Sequence, residues 1–401
     1  MPDKHFRAIV VGGGPAGLTA AIALAAGGID SVLVGRRPST PDNRTTALLA
    51  GSLDALTALG AWDYCAAQAA PLRTMRIVDD TGRLWRAPEV TFNAEEIGLE
   101  AFGYNIENRN LLAALERRAR ELAVLTPIEA EVAAIVPGER GAVVTLTSGE
   151  MLSAELVVGA DGRHSLCRQA AGIGLEHHDY PQVALTLCLR HSRPHRDTST
   201  EFHTATGPFT LVPLPDNRSS LVWVLDPIDA DELATLDDAA LAVEVERAAH
   251  SILGKMEVEN GRGRFPLARA RARRFAAKRV ALVGEAAHVI PPIGAQGLNL
   301  GLRDAASIAE LAVAAARAGR DIGGINVLVA YDRMRRSDIR SRSLAVDLLN
   351  RSLLSDFLPV QGTRGLGLYL IDKIGPLRRT VMREGVAPRS TQPRLTRSET
   401  I

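Results

Sequence analysis

The sequence has little of several features that mark particular classes of protein. Cysteine occurs only three times, at wide and unpaired spacing, which argues against a disulfide framework and against a structural zinc site. No apolar run reaches the roughly 18–20 residues of a membrane-spanning helix, and the polar start predicts no signal peptide. Charge of one sign is also lacking, since 47 basic residues face 46 acidic ones. We therefore expect a cytoplasmic protein with no nucleic-acid partner.

The near-zero net charge is the sum of two opposite parts. Residues 331–401 contain 14 basic and 7 acidic side chains and carry +7, which leaves −6 for the rest of the chain. Between residues 261 and 280 there is no acid, and the eight basic side chains there are Arg262, Arg264, Arg269, Arg271, Arg273, Arg274, Lys278 and Arg279. This basic run could attract NAD(P)H or form a solvated face.

The order of apolar segments predicts an α/β fold with room for two or three domains. Residues 8–11 and 31–34 are short apolar runs that flank a helical segment at 18–26, which is the pattern of a βαβ unit. Residues 181–266 change to alternating segments with turns, and a buried-strand pattern returns at 280–283. Other expected elements are helices at 53–59, 110–122 and 300–318, strands at 142–146 and 156–159, and a hairpin of Phe209–Val212 with Leu221–Val224. One α/β domain is therefore expected to be interrupted by a β-rich segment.

The first motif that carries chemistry is the turn Gly12-x-Gly14-x-x-Gly17, which also contains Pro15 and Ala16. Glycines at this spacing between a strand and a helix allow the backbone to approach a pyrophosphate, which the helix N-terminus attracts. The turn therefore predicts dinucleotide binding.

The second strand of this unit lacks the acid that usually binds a ribose. Gly35 stands in its place and is followed by Arg36 and Arg37. Taken alone, a missing acid beside arginines favours a nucleotide with a 2′-phosphate, so NADP is a competing interpretation of the first motif.

Two later segments place polar residues at the ends of buried strands. Asp161 and Gly162 follow residues 156–159, and Glu285 follows residues 280–283. Open α/β sheets bind ligands at these strand ends. A Pro-Pro turn then leads into a long helix whose N-terminal N–H groups could hold an electron-rich ring or an anion, in a segment that contains Pro292, Gly294, Gln296, Gly297, Leu298 and Asn299.

Together these segments resemble the flavoprotein monooxygenases of the para-hydroxybenzoate hydroxylase fold, and most closely the branch that hydroxylates the ubiquinone ring. In that branch the last segment reads His-Pro-(aliphatic)-(Ala/Gly)-Gly-Gln-Gly-x-Asn-x-Gly-x-x-Asp. This chain matches it from Pro292 to Asp304, although Pro291 replaces the His and Ala295 replaces a Gly. Other segments similar to the branch are residues 44–48, 59–62, 104–109, 212–215, 221–223, 265–267 and 349–379. The resemblance covers essentially the whole chain.

The resemblance implies an FAD-dependent monooxygenase that uses NAD(P)H as co-substrate, consumes O2 and needs no metal. It places the first turn and the late helix start on FAD, Asp161 and Gly162 on both FAD and NAD(P)H, and Arg44 and Arg109 near the phosphate and ribityl parts of the flavin. The cofactor-binding residues expected on this basis are Gly12, Gly14, Pro15, Ala16, Gly17, Arg36, Arg44, Arg109, Asp161, Gly162, Glu285, Pro292, Gly294, Gln296, Gly297, Leu298 and Asn299.

The implied fold class is α/β, with a Rossmann-like FAD-binding domain, an inserted β-sheet substrate domain and a C-terminal helical tail. The expected boundaries are residues 1–75, 98–180 and 267–341 for the FAD-binding domain, 76–97 and 181–266 for the substrate domain, and 342–401 for the helical region.

Two departures from the family affect the cofactor. Gly35 removes a carboxylate that would hold the ribose, at a cost of about 1–3 kcal/mol, and Glu285 adds a methylene where the family has Asp. Weaker, exchangeable FAD binding is expected. The NADP interpretation is set aside because the other motifs complete a flavin site and this fold has one Rossmann site. His288 is expected to order its turn, and no residue is identified as a catalytic base.

The expected reaction is hydroxylation of the aromatic ring of a polyprenylated ubiquinone precursor. Two alternatives stay open: a hydroxylase of a soluble aromatic compound, which residues 291–295 resemble slightly more, and a flavin-poor scaffold in a quinone-biosynthesis complex. The tail carries apolar positions among arginines, namely Leu344, Leu348, Leu349, Leu353, Leu354, Phe357 and Leu358. A basic amphipathic helix of this kind could lie peripherally on the inner membrane, contact a quinone-biosynthesis complex or pack onto its own domain, and an oligomer is left open.

Overall fold

The strands alternate with helices in the first part of the chain and dominate its middle. The computed structural model describes residues 2–36, 44–82, 88–259, 261–291, 295–354, 373–386, 392–397 and 399–401, with the backbone alone for 341–354 and 386. The strands are β1 (Lys4–Val11), β2 (Ser31–Val34), β3 (Thr45–Leu49), β4 (Ala69–Pro71), β5 (Thr74–Asp79), β6 (Val90–Asn93), β7 (Gly103–Glu107), β8 (Leu125–Ile128), β9 (Val132–Pro137), β10 (Ala142–Leu146), β11 (Met151–Gly159), β12 (Leu175–His191), β13 (Thr198–His203), β14 (Pro208–Leu214), β15 (Arg218–Leu225), β16 (Met256–Val258), β17 (Gly263–Ala272), β18 (Ala276–Ala277), β19 (Val280–Leu282) and β20 (His288–Val289).

The helices start slightly earlier than the apolar pattern predicts. They are α1 (Pro15–Ala26), α2 (Ala50–Ala58), α3 (Asn108–Arg120), α4 (Leu166–Ala170), α5 (Pro227–Thr235), α6 (Asp238–Ala248), α7 (Gln296–Arg317), α8 (Ile325–Leu354) and α9 (Gly375–Val386), with short 3₁₀ turns at Trp62–Tyr64, Ala66–Gln68, Ala94–Ile97, Gly284–Ala286 and Arg394–Arg397. The prediction that α7 begins at Leu300 is wrong by a full turn, because three of the first four residues of the helix are Gln296, Gly297 and Asn299, which interrupt the apolar pattern.

The first sheet has parallel strands at its centre and forms the core of the α/β part. Its order is β18-β19-β11-β1-β2-β8, with β10 paired to β11 and β9 paired to β10. Strand β1 lies parallel to both β2 and β11, and β19 lies parallel to β11. The side chains of Ile9 and Val10 are fully buried because helices cover the sheet. The carboxyl ends of β1, β11 and β19 therefore meet at one edge.

The second sheet is mostly antiparallel, and its order is β20-β17-β12-β15-β14-β13-β5-β6. The expected hairpin is confirmed, since β14 and β15 pair antiparallel through Thr210–Val222 and Leu211–Leu221. One face, called here the outer face, is covered by α5 and α6 over a cluster that includes Leu211 and Leu221. The opposite, inner face is turned toward the first part of the molecule.

A small sheet of β3, β7 and β4 joins the two larger ones. The hydroxyl of Thr45 on β3 donates to Ser220 Oγ on β15 at 2.8 Å. Asn105 Nδ2 on β7 donates to the carbonyl oxygen of Pro213 at 2.9 Å and to Ser220 Oγ at 3.1 Å. The inner face of the second sheet is thus held against β3 and β7.

The C-terminal region is helical. Helix α8 packs on α7, and α9 lies against the Ala94–Ile97 turn. No helix in the described ranges is long and apolar enough to cross a membrane. The α/β class with a second sheet and a helical C-terminal region is confirmed, whereas the exact domain boundaries stay predictions.

Candidate cofactor and substrate site

The turn between β1 and α1 has the shape and the free donors of an anion site. Gly12 has φ +120°, and a Cβ at this position would lie 2.2 Å from the carbonyl oxygen of Ala160, so only glycine fits. Gly14 is the N-cap of α1 without a side-chain cap, and in the described part of the chain a Cβ on it would meet nothing within 4 Å. The N–H groups of the first turn, including those of Ala16 and Gly17, are therefore available to an anion in that space.

Helix α7 begins with a second uncapped N-terminus. Its N-cap Ala295 is left-handed with φ +53° and makes no side-chain cap hydrogen bond. The first turn contains residues 296–298, and a Cβ on Gly297 would again meet no atom of the described residues within 4 Å. Pro292 and Gly294, also expected at this site, lie outside the described residues.

Asn299 fixes the start of α7 to strand β3. Its Nδ2 donates to the carbonyl oxygen of Ala47 at 2.8 Å and to that of Ala295 at 2.6 Å, while its Oδ1 accepts from Leu49 N at 2.9 Å. The side chain is therefore committed to the backbone around it, so Asn299 shapes this edge of the site.

The two helix starts converge on Gly284 at the end of the β19 segment. A Cβ on Gly301 of α7 would lie 3.2 Å from Gly284 Cα and 3.3 Å from Ala16 Cβ of α1. Only small residues allow this approach, and they bring two positive helix ends to the same edge of the first sheet. An elongated ligand with an anionic centre fits this cradle.

Asp161 is used by its own loop. Its Oδ1 accepts from Ser165 Oγ at 2.5 Å and its Oδ2 from Cys167 N at 3.0 Å, which fixes the start of the short helix α4. Gly162 has φ +76° and borders open space. The loop therefore stands rigidly beside the Gly12 turn, against which Ala160 packs.

Sequence reasoning missed Arg168, which ties the Asp161 loop to the Gly284 turn. This buried guanidinium donates from Nη1 to the carbonyl oxygen of Ala286 and from Nη2 to that of Arg163, both at 2.9 Å. The spacing Asp161-x-x-x-Ser165-x-x-Arg168 behind a buried strand was the available signal. Arg168 thus positions two segments expected to meet the cofactor.

Glu285 lies opposite the same loop. Arg163 binds its carboxylate through two atoms, with Nε–Oε2 at 3.2 Å and Nη2–Oε1 at 3.1 Å. Both side chains are about half exposed, at 44% and 51%. Such a pair is weak, so the carboxylate stays accessible to a ligand hydroxyl that replaces the arginine.

Arg44 and Arg109 both lie at the joint between the sheets. The guanidinium carbon of Arg44 lies 5.4 Å from the centre of the Phe265 ring, and Asn108 N donates to the Arg44 carbonyl oxygen at 2.9 Å. Arg109 Nη2 binds Glu107 Oε1 at 2.8 Å. These two expected site residues are brought together, while their contacts with a cofactor stay predictions.

Arg36 lies apart from them, and Gly35 has no room for a side chain. Arg36 pairs with Glu131 at 2.9 Å on an exposed surface. A Cβ on Gly35 would lie 2.4 Å from Gly13 N and 2.8 Å from Gly13 Cα. The missing ribose-binding acid thus coincides with a tight contact between the end of β2 and the Gly12–Gly17 turn.

A buried ionic cluster supports the Gly284 turn. Asp304 Oδ2 accepts from Gly284 N at 3.0 Å and contacts His288 Nε2 at 2.7 Å, and Arg335 Nε of α8 donates to its Oδ1 at 2.6 Å. Burial opposes ionisation of Asp304, but the charges and hydrogen bonds of His288 and Arg335 hold its pKa below the usual value. The contact of His288 Nε2 with Asp304 is consistent with the expectation that His288 orders the turn, and that role stays a prediction.

A surface cavity of about 530 Å³ opens beside Arg109 at the same joint. Arg218 lines this cavity, and its Nη2 lies 2.6 Å from Glu259 Oε2 and 3.4 Å from Glu107 Oε1. These hydrogen bonds raise the pKa of Arg218 and clamp β7 to the second sheet. The cavity is lined by Glu107, Arg109, Cys188, Arg190, Asp216, Arg218, Val258 and Glu259.

At least four of the eight side chains of the basic run form ion pairs within the fold: Arg262 with Asp238, Arg264 with Asp231, Arg271 with Glu176 and Arg279 with Asp321. This pairing favours the solvated-face interpretation. Among the described side chains, no group of three or more His, Cys, Asp or Glu could hold a metal ion.

Comparison with protein families matches residues 5–340 to a family described as FAD binding domain. Among curated proteins, ubiquinone hydroxylase UbiL of Rhodospirillum rubrum is 35% identical over 391 residues, which cover 96% of this chain and 90% of that protein. The 3-demethoxyubiquinol 3-hydroxylase of Escherichia coli is 32% identical, with 96% of this chain and 99% of that protein covered.

Among solved structures, p-nitrophenol 4-monooxygenase PnpA of Pseudomonas putida superposes with a TM-score of 0.78 at 18% identity, covering 97% of this chain and all of that one. Klebsiella pneumoniae HpxO complexed with FAD and uric acid superposes with a TM-score of 0.75 at 20% identity, covering 96% of this chain and 97% of that one. At these identities the structures establish the fold alone.

Proposed function

Because this chain belongs to the FAD binding domain family and is an FAD-dependent monooxygenase, we propose that it hydroxylates the aromatic ring of a polyprenylated ubiquinone precursor with NAD(P)H and O2. The observation that carries the proposal is the similarity, over 96% of the chain, to two proteins named as hydroxylases of ubiquinone or of its demethoxy precursor. These relatives match over at least 90% of their own length, so the similarity includes the part that contacts substrate as well as the cofactor turn.

The residues at the edge of the first sheet fit the cofactor. The two uncapped helix starts face open space at Gly14 and Gly297, which suits a pyrophosphate, and Glu285 is accessible to a ribityl hydroxyl. FAD, when bound, supplies the redox chemistry: it takes up electrons from NAD(P)H and transfers one oxygen atom of O2 to the ring. Arg44 and Arg109 complete the proposed site on the side of the second sheet.

The protein's own contribution is to position the ring and exclude water. The inner face of the second sheet carries an apolar cluster of Tyr180, Ala184, Val224 and Leu267, each at most 8% exposed. An apolar wall of this kind suits a prenylated ring better than a small charged aromatic compound, which needs charged partners.

The substrate class gives a reason for peripheral contact with the inner membrane, since a polyprenyl chain dissolves in lipid. Helix α9 supports this proposal, because Leu377 and Val381 are about 40% exposed on one side of it, with Arg379 and Arg383 exposed nearby. The apolar tail positions expected from the sequence, from Leu344 to Leu358, lie in a segment whose side chains are outside the described residues. A quinone-biosynthesis complex is the competing partner for the same surface.

Complementation tests the proposed function. The chain is expressed in bacteria that lack one ring hydroxylase of ubiquinone synthesis, with a Gly12→Val variant as the control, because its side chain would collide with Ala160. Recovery of ubiquinone by the wild-type chain alone is expected, and the intermediate that accumulates without it names the ring position. A flavin-loaded wild-type protein that restores ubiquinone in none of these strains would refute the proposal and favour a soluble aromatic substrate.

A further inference from the structure

Ring hydroxylation of a phenol needs an acceptor for the hydroxyl proton, and the inner face of the second sheet carries a candidate. Strand β3 crosses this face, since Thr45 at its start bonds Ser220 on β15 and Leu49 at its end packs in a cluster with Met75 and Ile77 of β5. Asn299 binds the backbone of this same strand, at Ala47 and Leu49. The inner face near β13 and β14 therefore lies next to the start of α7.

Strand register places Glu201 on this inner face. Glu201 pairs with Thr210, Thr210 pairs with Val222, and residues directly opposite on neighbouring strands share a face. Val222 is two residues from Ser220 on β15, so its side chain points the same way, toward β3. Glu201 is thus an ionisable group beside the apolar cluster that includes Val222 and Val224.

The carboxylate is oriented by two neighbours. Glu201 Oε1 lies 2.8 Å from His203 Nε2, and Thr210 Oγ1 donates to Oε2 at 3.4 Å. His203 is enclosed, with 3% of its side chain exposed, whereas 20% of the Glu201 side chain remains exposed. A bound molecule can therefore reach the Glu201 carboxylate, whose orientation is fixed by the buried His203.

The surroundings keep Glu201 ionised. Burial alone would raise its pKa, but the hydrogen bonds and charge of His203, with Thr210, hold the pKa below the usual value. On the neighbouring strand β5, the same face carries apolar Ile77 beside Glu201 and Asp79 beside His203. Asp79 is occupied by the backbone and hydroxyl of Thr81. Glu201 is thus in the form that accepts a proton.

We propose that Glu201, oriented by His203, accepts the proton of the substrate's phenolic hydroxyl during hydroxylation of the ring. The assignment rests on the proposed function, which makes the substrate a prenylated phenol or quinol. As the ring carbon forms its bond to one oxygen atom of O2, the O–O bond breaks and the other oxygen atom leaves as water, reduced by the two electrons that NAD(P)H supplies. At the same time the phenolic O–H bond breaks, its electron pair moves toward the ring and its proton forms an O–H bond at Glu201. When the ring regains aromaticity, the carbon-bound hydrogen leaves as a proton to solvent and Glu201 returns its proton to the oxygen.

A carboxylate suffices for this step. Positive charge develops on the phenolic oxygen as the ring is attacked, so the hydroxyl becomes far more acidic in the transition state than in the free phenol. General-base assistance of this kind contributes roughly 100- to 10,000-fold to a rate.

The test compares Glu201→Gln with the matched control Glu257→Gln, the same change at an exposed glutamate on β16 of the same sheet. Both are assayed as full-length holoenzymes with a short-chain prenylated phenol. We expect Glu201→Gln to bind FAD and consume NAD(P)H normally but to form roughly 100-fold less hydroxylated product per NAD(P)H consumed, with H2O2 released instead. Glu257→Gln should match the wild type.

The pH profile separates proton transfer from a structural role. The product yield of Glu201→Gln should rise with pH toward about 10, where a phenol ionises without a base, whereas the wild-type yield should stay level. If glutamine at position 201 prevents folding, the His203→Gln variant is tested instead. Without His203, burial raises the pKa of Glu201. The activity of this variant should therefore fall at mildly acidic pH, where the wild type stays active.

Wild-type yield from Glu201→Gln at neutral pH, or a loss of yield that alkaline pH does not relieve, would overturn the assignment and leave the proposed function intact. Wild-type protein that binds FAD but hydroxylates none of the prenylated phenols would overturn the substrate class and the assignment with it.

Discussion

At the scale of single residues, a substitution at Gly14 can change the anion binding of α1 without lowering the stability of the helix. It is the N-cap of the helix in an extended conformation, and a Cβ there meets nothing within 4 Å. Aspartate is a favoured N-cap residue, so Gly14→Asp should fold with unchanged or higher stability. Its carboxylate would repel the FAD pyrophosphate, and we expect the FAD dissociation constant to rise roughly 10- to 100-fold in a flavin-fluorescence titration.

Gly14→Asn is the control for this variant, because it caps the helix without a charge. FAD affinity close to wild type in Gly14→Asn, together with urea midpoints of both variants that are no lower than that of the wild type, would assign the loss of affinity in Gly14→Asp to charge. Equal affinity of Gly14→Asp and wild type would show that the pyrophosphate lies elsewhere.

Single residues also show which parts of the site the sequence can predict. The glycine turn is predictable because its spacing is local, and the sequence also shows that Gly35 replaces an acid. That a Cβ on Gly35 would meet Gly13 N at 2.4 Å depends on the approach of β2 to the turn, which no pattern encodes. Glu201 could not be identified from the sequence, because its place beside Ile77 depends on the pairing of β13 with β5, which is more than a hundred residues earlier in the chain.

At the scale of elements, α8 supports the cofactor edge through one buried arginine. Arg335 is fully buried and binds Asp304, which holds Gly284 and His288, and it also binds Asp338 at 2.8 Å. Arg335→Met leaves both acids without this partner, and removal of one member of a buried pair costs about 3–5 kcal/mol. We expect that loss in the free energy of unfolding measured with urea.

The neighbouring Arg336 is the matched control, because it also pairs with an acid of the same helix, Asp332, but its own side chain is half exposed. Arg336→Met should cost less than about 1 kcal/mol. The pH dependence of the free energy of unfolding tests the same cluster. The pKa of Asp304 is held low in the folded protein, so its stabilising effect is present above about pH 4 and is lost as pH falls through the folded-state pKa. Equal urea midpoints for the two variants would contradict this account of the cluster.

At the scale of the whole molecule, the arrangement of sheets was predictable in part. Apolar runs at residues 8–11, 31–34 and 280–283 gave the parallel sheet, and alternating runs gave the β14–β15 hairpin. The pairing of β13 with β5 could not be predicted, because it joins strands more than a hundred residues apart and depends on packing between sheets. The ionic cluster around Asp304 depends on the same long-range packing.

The C-terminal part carries +7 and the rest of the chain −6, and α9 contributes arginines to this positive charge. Helix α9 is docked by Arg378, which binds Glu96, and by buried Met382, while Leu377 and Val381 are exposed one turn apart. If this side rests on the membrane, replacing both exposed side chains by serine should weaken binding to phosphatidylglycerol vesicles by about tenfold or more, since each buried aliphatic side chain contributes about 1.5 kcal/mol. Sedimentation with the vesicles measures the binding.

The control exchanges Ile228 and Val243 for serine, which are 73% and 63% exposed on α5 and α6 of the second sheet. This pair is apolar and exposed but belongs to the acidic body rather than the basic tail, so its loss should leave vesicle binding unchanged. FAD affinity should be the same in both double variants, because neither touches the edge of the first sheet. Vesicle binding that is unchanged in the α9 variant would assign this surface to a protein partner, and unfolding of that variant would mean that Leu377 and Val381 themselves pack onto the protein. Weaker vesicle binding of the α9 variant, with unchanged FAD affinity, would show that α9 contacts the lipid in which a prenylated substrate dissolves.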